Sequence, residues 1–154
     1  MNPTDETKDV RTALVEAFQA ADSETAWYYD RAKDRVVSVK HGVVSDKLLR
    51  ARDVEEDELR FVEVPALSEV EIHGWIDDFV NETDRADVAA CLDRKAGANA
   101  RFEERLARKL PDVLTAWHRY RHGRVQETAD AWIAGIRAEH VPGGEWLAEE
   151  GESN

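Results

Sequence analysis

Between Gly97 and Arg137 apolar side chains return at helical spacing for longer than anywhere else in the chain. Phe102, Leu106 and Leu110 form one stripe at steps of four, and Leu114, Trp117, Val125, Thr128, Trp132 and Ile136 continue it at steps of three, four or their multiples. Pro111 has no amide hydrogen to give a helix interior but suits a first helical turn. The pattern therefore predicts two helices that meet at Pro111.

The rest of the chain changes period several times. Val10, Leu14, Phe18 and Ala21 stand four, four and three apart, with Asp5 and Thr7 available as caps, which predicts a first amphipathic helix closed by Ser23 and Glu24. Trp27, Tyr28 and Tyr29, then Val36, Val37 and Val39, are strand formers flanking Arg31-Ala32-Lys33-Asp34-Arg35, a length that suits a hairpin loop. Pairing Asp30 with Val36 would set Tyr29 against Val37 and Trp27 against Val39, giving the ribbon one apolar face. His41-Gly42 ends the hairpin, and Asp46 to Leu59 is charge-dense loop with a short helix. Phe61, Val62 and Val64 make a third strand that Pro65 terminates.

Ser68 with Glu71 matches a capping box, followed by Ile72, Trp75, Ile76, Phe79 and Val80 at helical spacing. Asp84 to Arg94 predicts another short helix ended by Gly97. Pro142-Gly143-Gly144 breaks the last helix, and an acidic tail follows with Trp146-Leu147 as its one apolar anchor. These elements amount to an α+β fold, with a small three-stranded antiparallel sheet packed against about five helices. The expected organisation is a single domain over residues 1–140 followed by a flexible tail over residues 141–154.

Several segments together carry a resemblance. They are Trp27-Tyr28-Tyr29-Asp30 with the valines after it, Arg60-Phe61-Val62-Glu63-Val64-Pro65, and Trp75-Ile76-Asp77-Asp78-Phe79-Val80. Gly97 before Ala100-Arg101-Phe102, Trp117 to Arg121, and Ala131-Trp132-Ile133 complete the series. In this order they resemble uncharacterised protein family 0158, a group of small bacterial proteins, over roughly Trp27 to Ile136. The resemblance implies a mixed fold like the family's and carries over no activity and no catalytic residue. His118 and His122 depart from its pattern, which has acidic and basic residues there.

Charge narrows the reading. The net charge is -12, which disfavours attraction to nucleic acid or an anionic membrane. It is unevenly spread: residues 97–137 hold 8 basic and 5 acidic side chains, so the helical scaffold is the one basic region. Arg101, Arg105, Arg108 and Lys109 make a strip beside the Phe102 stripe, with Arg119, Arg121 and Arg124 further along. Such cations could hold phosphates or an acidic partner, or simply balance Glu103, Glu104 and Asp112.

His118 and His122 share a helix face at metal-ligand spacing but lack a third ligand, so two exposed imidazoles are the plainer reading. Asp77 and Asp78 point about 100° apart on their helix. They read as a solvated face or an ion pair to an arginine such as Arg60 or Arg121. Cys91, the single cysteine, reads as a small core residue, excludes an internal disulfide and fits a reducing compartment. The aromatic set, Trp27, Tyr29, Trp75, Phe79, Phe102, Trp117 and Trp132, reads as core.

No phosphate-binding loop, dinucleotide fingerprint or zinc-hydrolase helix occurs in the sequence, and no cofactor is implied. The sequence thus leans away from an enzyme. It points to a cytoplasmic, non-enzymatic protein-binding or regulatory module, with no membrane span and with sheet edges that a second copy could pair into a homodimer. An RNA- or DNA-associated protein using the arginine strip, and an enzyme with an unrecognised site, are the alternatives.

Overall fold

The computed structural model describes residues 9–20, 24–93, 95 and 97–139. Asp5, Thr7, Ala21, Ser23, Trp146, Leu147 and the acidic tail lie outside the described residues. Among those described, the order is α1 (Val10–Gln19), β1 (Thr25–Asp30), β2 (Arg35–Lys40), β3 (Val43–Val44), α2 (Ala51–Glu56), β4 (Phe61–Glu63), α3 (Glu69–Thr83), α4 (Ala86–Ala89), α5 (Ala98–Lys109) and α6 (Pro111–Ala138). The fold is α+β as expected, but with four strands and six helices among the described residues where three and about five were predicted. The extra strand is β3. His41 and Gly42, both at positive φ (51° and 75°), reverse the chain tightly enough for Val43 and Val44 to return along β2. Two apolar residues are too few to show a strand period in sequence.

The chain divides into two compact units, one of residues up to Ala66 with those from Thr128 on, the other Leu67–Glu127. In the first, the sheet runs β3-β2-β1-β4, antiparallel throughout. The hairpin register is one residue off the predicted one: Asp30 pairs with Arg35, so Tyr28 faces Val37 and Trp27 faces Ser38. The loop between the strands is four residues, not five. Its geometry is set by Asp30, whose carboxylate accepts the Ala32 amide (3.0 Å) and the Arg35 guanidinium (3.1 Å), and by Asp34 in the left-handed region (φ 50°).

Both sheet faces are therefore apolar, and both are covered. Val37, Val39, Val44 and Phe61 gather around Val54 of α2 on one face. On the other, Tyr29 and Phe18 of α1 meet the Trp132 ring edge-on at 6.4 and 6.0 Å. Trp132 is half-buried, and the inner line of the helix falls on Ala129, Ile133 and Ile136. The predicted stripe holds at Val125 and Ile136, but its Thr128 and Trp132 stand one position before the buried Ala129 and Ile133.

The end of α6 is fastened to the β1–β2 loop. Tyr29 donates its hydroxyl to Asp34, Arg137 binds the same carboxylate at 2.7 Å, and Arg31 reaches Glu139 at 3.0 Å. Burial and the bond to Asp34 push the Tyr29 phenol up to about 12, from an ordinary 10.0. Partial burial acts to raise Asp34, but the hydrogen bonds from Arg137 and Tyr29 outweigh it and hold the carboxyl below its ordinary value.

The two shifts work at opposite ends of the pH range. The raised phenol contributes stability that is complete below pH 10 and fades as pH climbs through about 12. The lowered carboxyl contributes above its ordinary 3.8 and fades as acid protonates it. Tyr29→Phe is expected to flatten the alkaline loss of stability between about pH 10 and 12, measured by urea unfolding across that range. An unchanged slope would remove Tyr29 as its source.

The second unit is helical. Ser68 accepts the Glu71 amide at 3.1 Å and Glu71 accepts the Ser68 amide at 3.3 Å, so the capping box forms as expected. Ile72, Ile76, Phe79 and Val80 of α3 close over Val88, Cys91, Phe102, Leu106 and Trp117. Of the helix predicted over Asp84 to Arg94, the described residues form only α4, and Arg94 lies outside them. Gly97 does not end it but begins α5, as a left-handed N-cap at φ 79°. Any Cβ at that position would also crowd the Arg101 guanidinium at 3.1 Å. Among the described residues no helix is long and apolar enough to cross a membrane.

Candidate functional site

The predicted cations are distributed very unequally. Arg101 and Arg105 converge on Asp93, at 2.6 and 3.3 Å, and Arg105 also donates to the Cys91 and Leu92 carbonyls at 3.2 and 3.3 Å. The Arg101 bond, with the Lys95 amide next, holds the Asp93 carboxyl well below the usual carboxylate range. These two arginines thus clamp the start of the α4–α5 connection, at Cys91, Leu92 and Asp93. Arg121 binds Glu103 at 2.9 Å, and Glu103 also accepts the indole N–H of Trp117 at 2.7 Å. Arg124 lies over the Tyr120 ring, donates to its hydroxyl at 2.8 Å and reaches Asp78 at 3.1 Å. The ion pair expected at Asp78 exists, but through Arg124 instead of Arg60 or Arg121.

Arg108, Lys109 and Arg119 are exposed, so the strip survives outward only in part. His118 and His122 are also exposed. Among the described residues no group of three or more His, Cys, Asp or Glu could hold a metal ion.

The clamped connection borders a cleft of about 470 Å³ inside the helical unit, lined by Glu69, Val70, His73, Lys95, Gly97, Ala98 and Asn99. Two helix beginnings build it. The capping box fixes the first turn of α3, which sets Glu69, Val70 and His73 on the wall, and Gly97 starts α5 so that Asn99 faces them. Asn99 donates its amide to the Glu69 carbonyl (2.9 Å) and carboxylate (2.5 Å), and its oxygen lies 3.4 Å from His73 Nδ1. His73 Nε2 lies 3.8 Å from Asp77. Sequence reasoning missed this group. The capping box was legible and located Glu69, but Asn99 is thirty residues away and carries no local signature.

A different feature marks the sheet unit. Leu48 is 91% exposed and Val43 68%, Val43 standing in the edge strand β3 and Leu48 in the turn that follows it. Large apolar side chains beside a sheet edge are a surface that another chain can cover.

A family model described as Uncharacterised protein family (UPF0158) matches residues 8–141, extending the resemblance read from the sequence at both ends. No curated protein and no solved structure matches the chain.

Proposed function

The chain belongs to the uncharacterised protein family UPF0158, and we propose that it is a non-enzymatic, cytoplasmic protein-binding module with a regulatory role. The observation that carries this reading is the edge strand β3, beyond which no strand lies among the described residues, together with the exposed Val43 and Leu48. An extended apolar segment of a partner could add to the edge through its backbone and cover these two side chains. A second copy of the chain is one such partner. The ion pairs support the same reading over a polyanion role. Arg101, Arg105, Arg121 and Arg124 each already hold a carboxylate of their own unit, which weakens the strip as a phosphate reader.

The test compares the wild-type chain with the double variant Val43→Lys, Leu48→Lys as bait in native lysate, with light scattering on both. The expected result is one dominant protein, or a dimer, found with the wild type and lost with the variant while circular dichroism stays unchanged. Equal recovery on both baits would end the edge-docking reading. Recovery of RNA or DNA whose retention falls steeply with salt would replace it with the polyanion one.

A further inference from the structure

We infer that the cleft lined by Glu69, Val70, Lys95 and Asn99 binds a small zwitterion, an α-amino acid with an apolar side chain. This role is separate from the docking edge. The cleft wall carries both signs of charge: a carboxylate on α3 and an ammonium on the α4–α5 connection. Each has capacity to spare. Glu69 spends Oε2 on Asn99, which leaves Oε1 for a ligand ammonium, and among the described residues Lys95 has no carboxylate partner.

Glu69 is also held in place before any ligand arrives. Asn99 bonds both its backbone carbonyl and its carboxylate, and His73 lies against the Asn99 oxygen. A charge fixed in advance loses little side-chain entropy on binding, so more of the interaction appears as affinity. Lys95 is likewise held through its backbone, since its amide donates at 2.9 Å to Asp93, which also accepts from Arg101 and Arg105. The arginines read from sequence as ligand contacts are, on this view, positioning residues for Lys95.

The remaining surface selects the body of the ligand. Val70 is 82% exposed although it stands at the start of a well-capped helix, and Ala98 with Gly97 completes an apolar floor without long side chains. A branched hydrocarbon group would cover Val70 and regain its burial. Carboxylate binding at Lys95 is aided by the first turn of α5, whose N-cap, Gly97, has no side chain to occupy the free amides. A polyanion would meet Glu69 unfavourably, and a neutral hydrophobe would leave both charges unanswered. About 470 Å³ accommodates a single amino acid and is small for a folded partner's segment.

Titration calorimetry of the full chain at neutral pH tests this with leucine, valine, methionine and phenylalanine. Isoamylamine and isocaproate, which keep the leucine body but lack its carboxylate or its ammonium, serve as comparisons. At least one amino acid is expected to bind with a dissociation constant on the order of 1 mM or tighter, and the one-charge analogues at least about tenfold more weakly. Glu69→Gln and Lys95→Ala should each weaken the amino acid by about tenfold or more, at unchanged helicity, because both side chains stand on the outside of the unit. The inference is overturned if none of the four binds at about 10 mM, if an analogue binds as well as its parent, or if either variant binds like the wild type. The Val43→Lys, Leu48→Lys chain is expected to bind leucine unchanged, which keeps the outcome independent of the docking edge.

Discussion

Trp117→Ala is expected to destabilise the helical unit by about 3–5 kcal/mol, a large part of the 5–15 kcal/mol that holds a domain of this size together. Trp117 is fully buried, the largest side chain in that condition among the described residues. Its ring meets Phe102 nearly perpendicular at 5.7 Å and Phe79 at 5.4 Å, and Tyr120 stacks on it at 6.1 Å. Truncation therefore leaves a cavity bounded by three rings that are themselves fixed by the backbone of α3, α5 and α6 and cannot all close in. It also removes the indole hydrogen bond to Glu103, so that carboxylate keeps only Arg121 of the two groups that hold it.

Trp117→Phe separates the two effects. It retains most of the ring volume and loses the N–H, and is expected to cost about 1–2 kcal/mol. Urea unfolding of both variants, followed by circular dichroism, measures the difference. If the Phe variant proves as unstable as the Ala variant, the hydrogen bond and not the packing dominates the site. If Ala costs under about 1 kcal/mol, the aromatic cluster is not the core described here.

What the sequence disclosed depended on the range of the interaction. The two helices meeting at Pro111, the capping box at Ser68 and Glu71, and the strand around Phe61 rest on neighbours within one or two turns, and each formed where expected. The hairpin register failed because it is decided by Asp30, which reaches from the turn to Arg60, thirty residues on. Strand propensity in Trp27-Tyr28-Tyr29 offers two registers of similar appeal, and only the buried carboxylate selects one. Gly97 was misassigned for a related reason: a left-handed glycine can close one helix or open the next, and the sequence on either side permits both. For the arginines, spacing placed Arg101 and Arg105 correctly on one face of α5, but the acid that claims them, Asp93, lies on a connection whose path no periodicity predicts.

Asp30 carries the second large effect, and its chemistry makes an unusual pattern of results. The side chain is wholly buried and is the one charged group in that state among the described residues. Its carboxylate accepts from Arg60 at 2.9 and 3.1 Å, from Arg35 at 3.1 Å and from the Ala32 amide at 3.0 Å. Asp30→Ala takes away the charge that Arg35 and Arg60 share and the acceptor that shapes the β1–β2 loop. Breaking a buried ion pair from one side costs about 3–5 kcal/mol. The lower end applies here, since both arginines keep access to water and Arg35 retains Asp46 at 2.6 Å.

The triple variant Asp30→Leu, Arg35→Met, Arg60→Met removes more interactions, yet it is expected to be more stable than Asp30→Ala by about 1 kcal/mol or more. No charge is then left at the Asp30 site and the three side chains fill the space, which outweighs the loss of the Arg35 bond to the partly exposed Asp46. Thermal unfolding of the wild type, the single variant and the triple variant decides the matter. Equal stability of the two variants would mean that the arginines find other partners when the carboxylate is gone, so that leaving them without Asp30 costs nothing measurable.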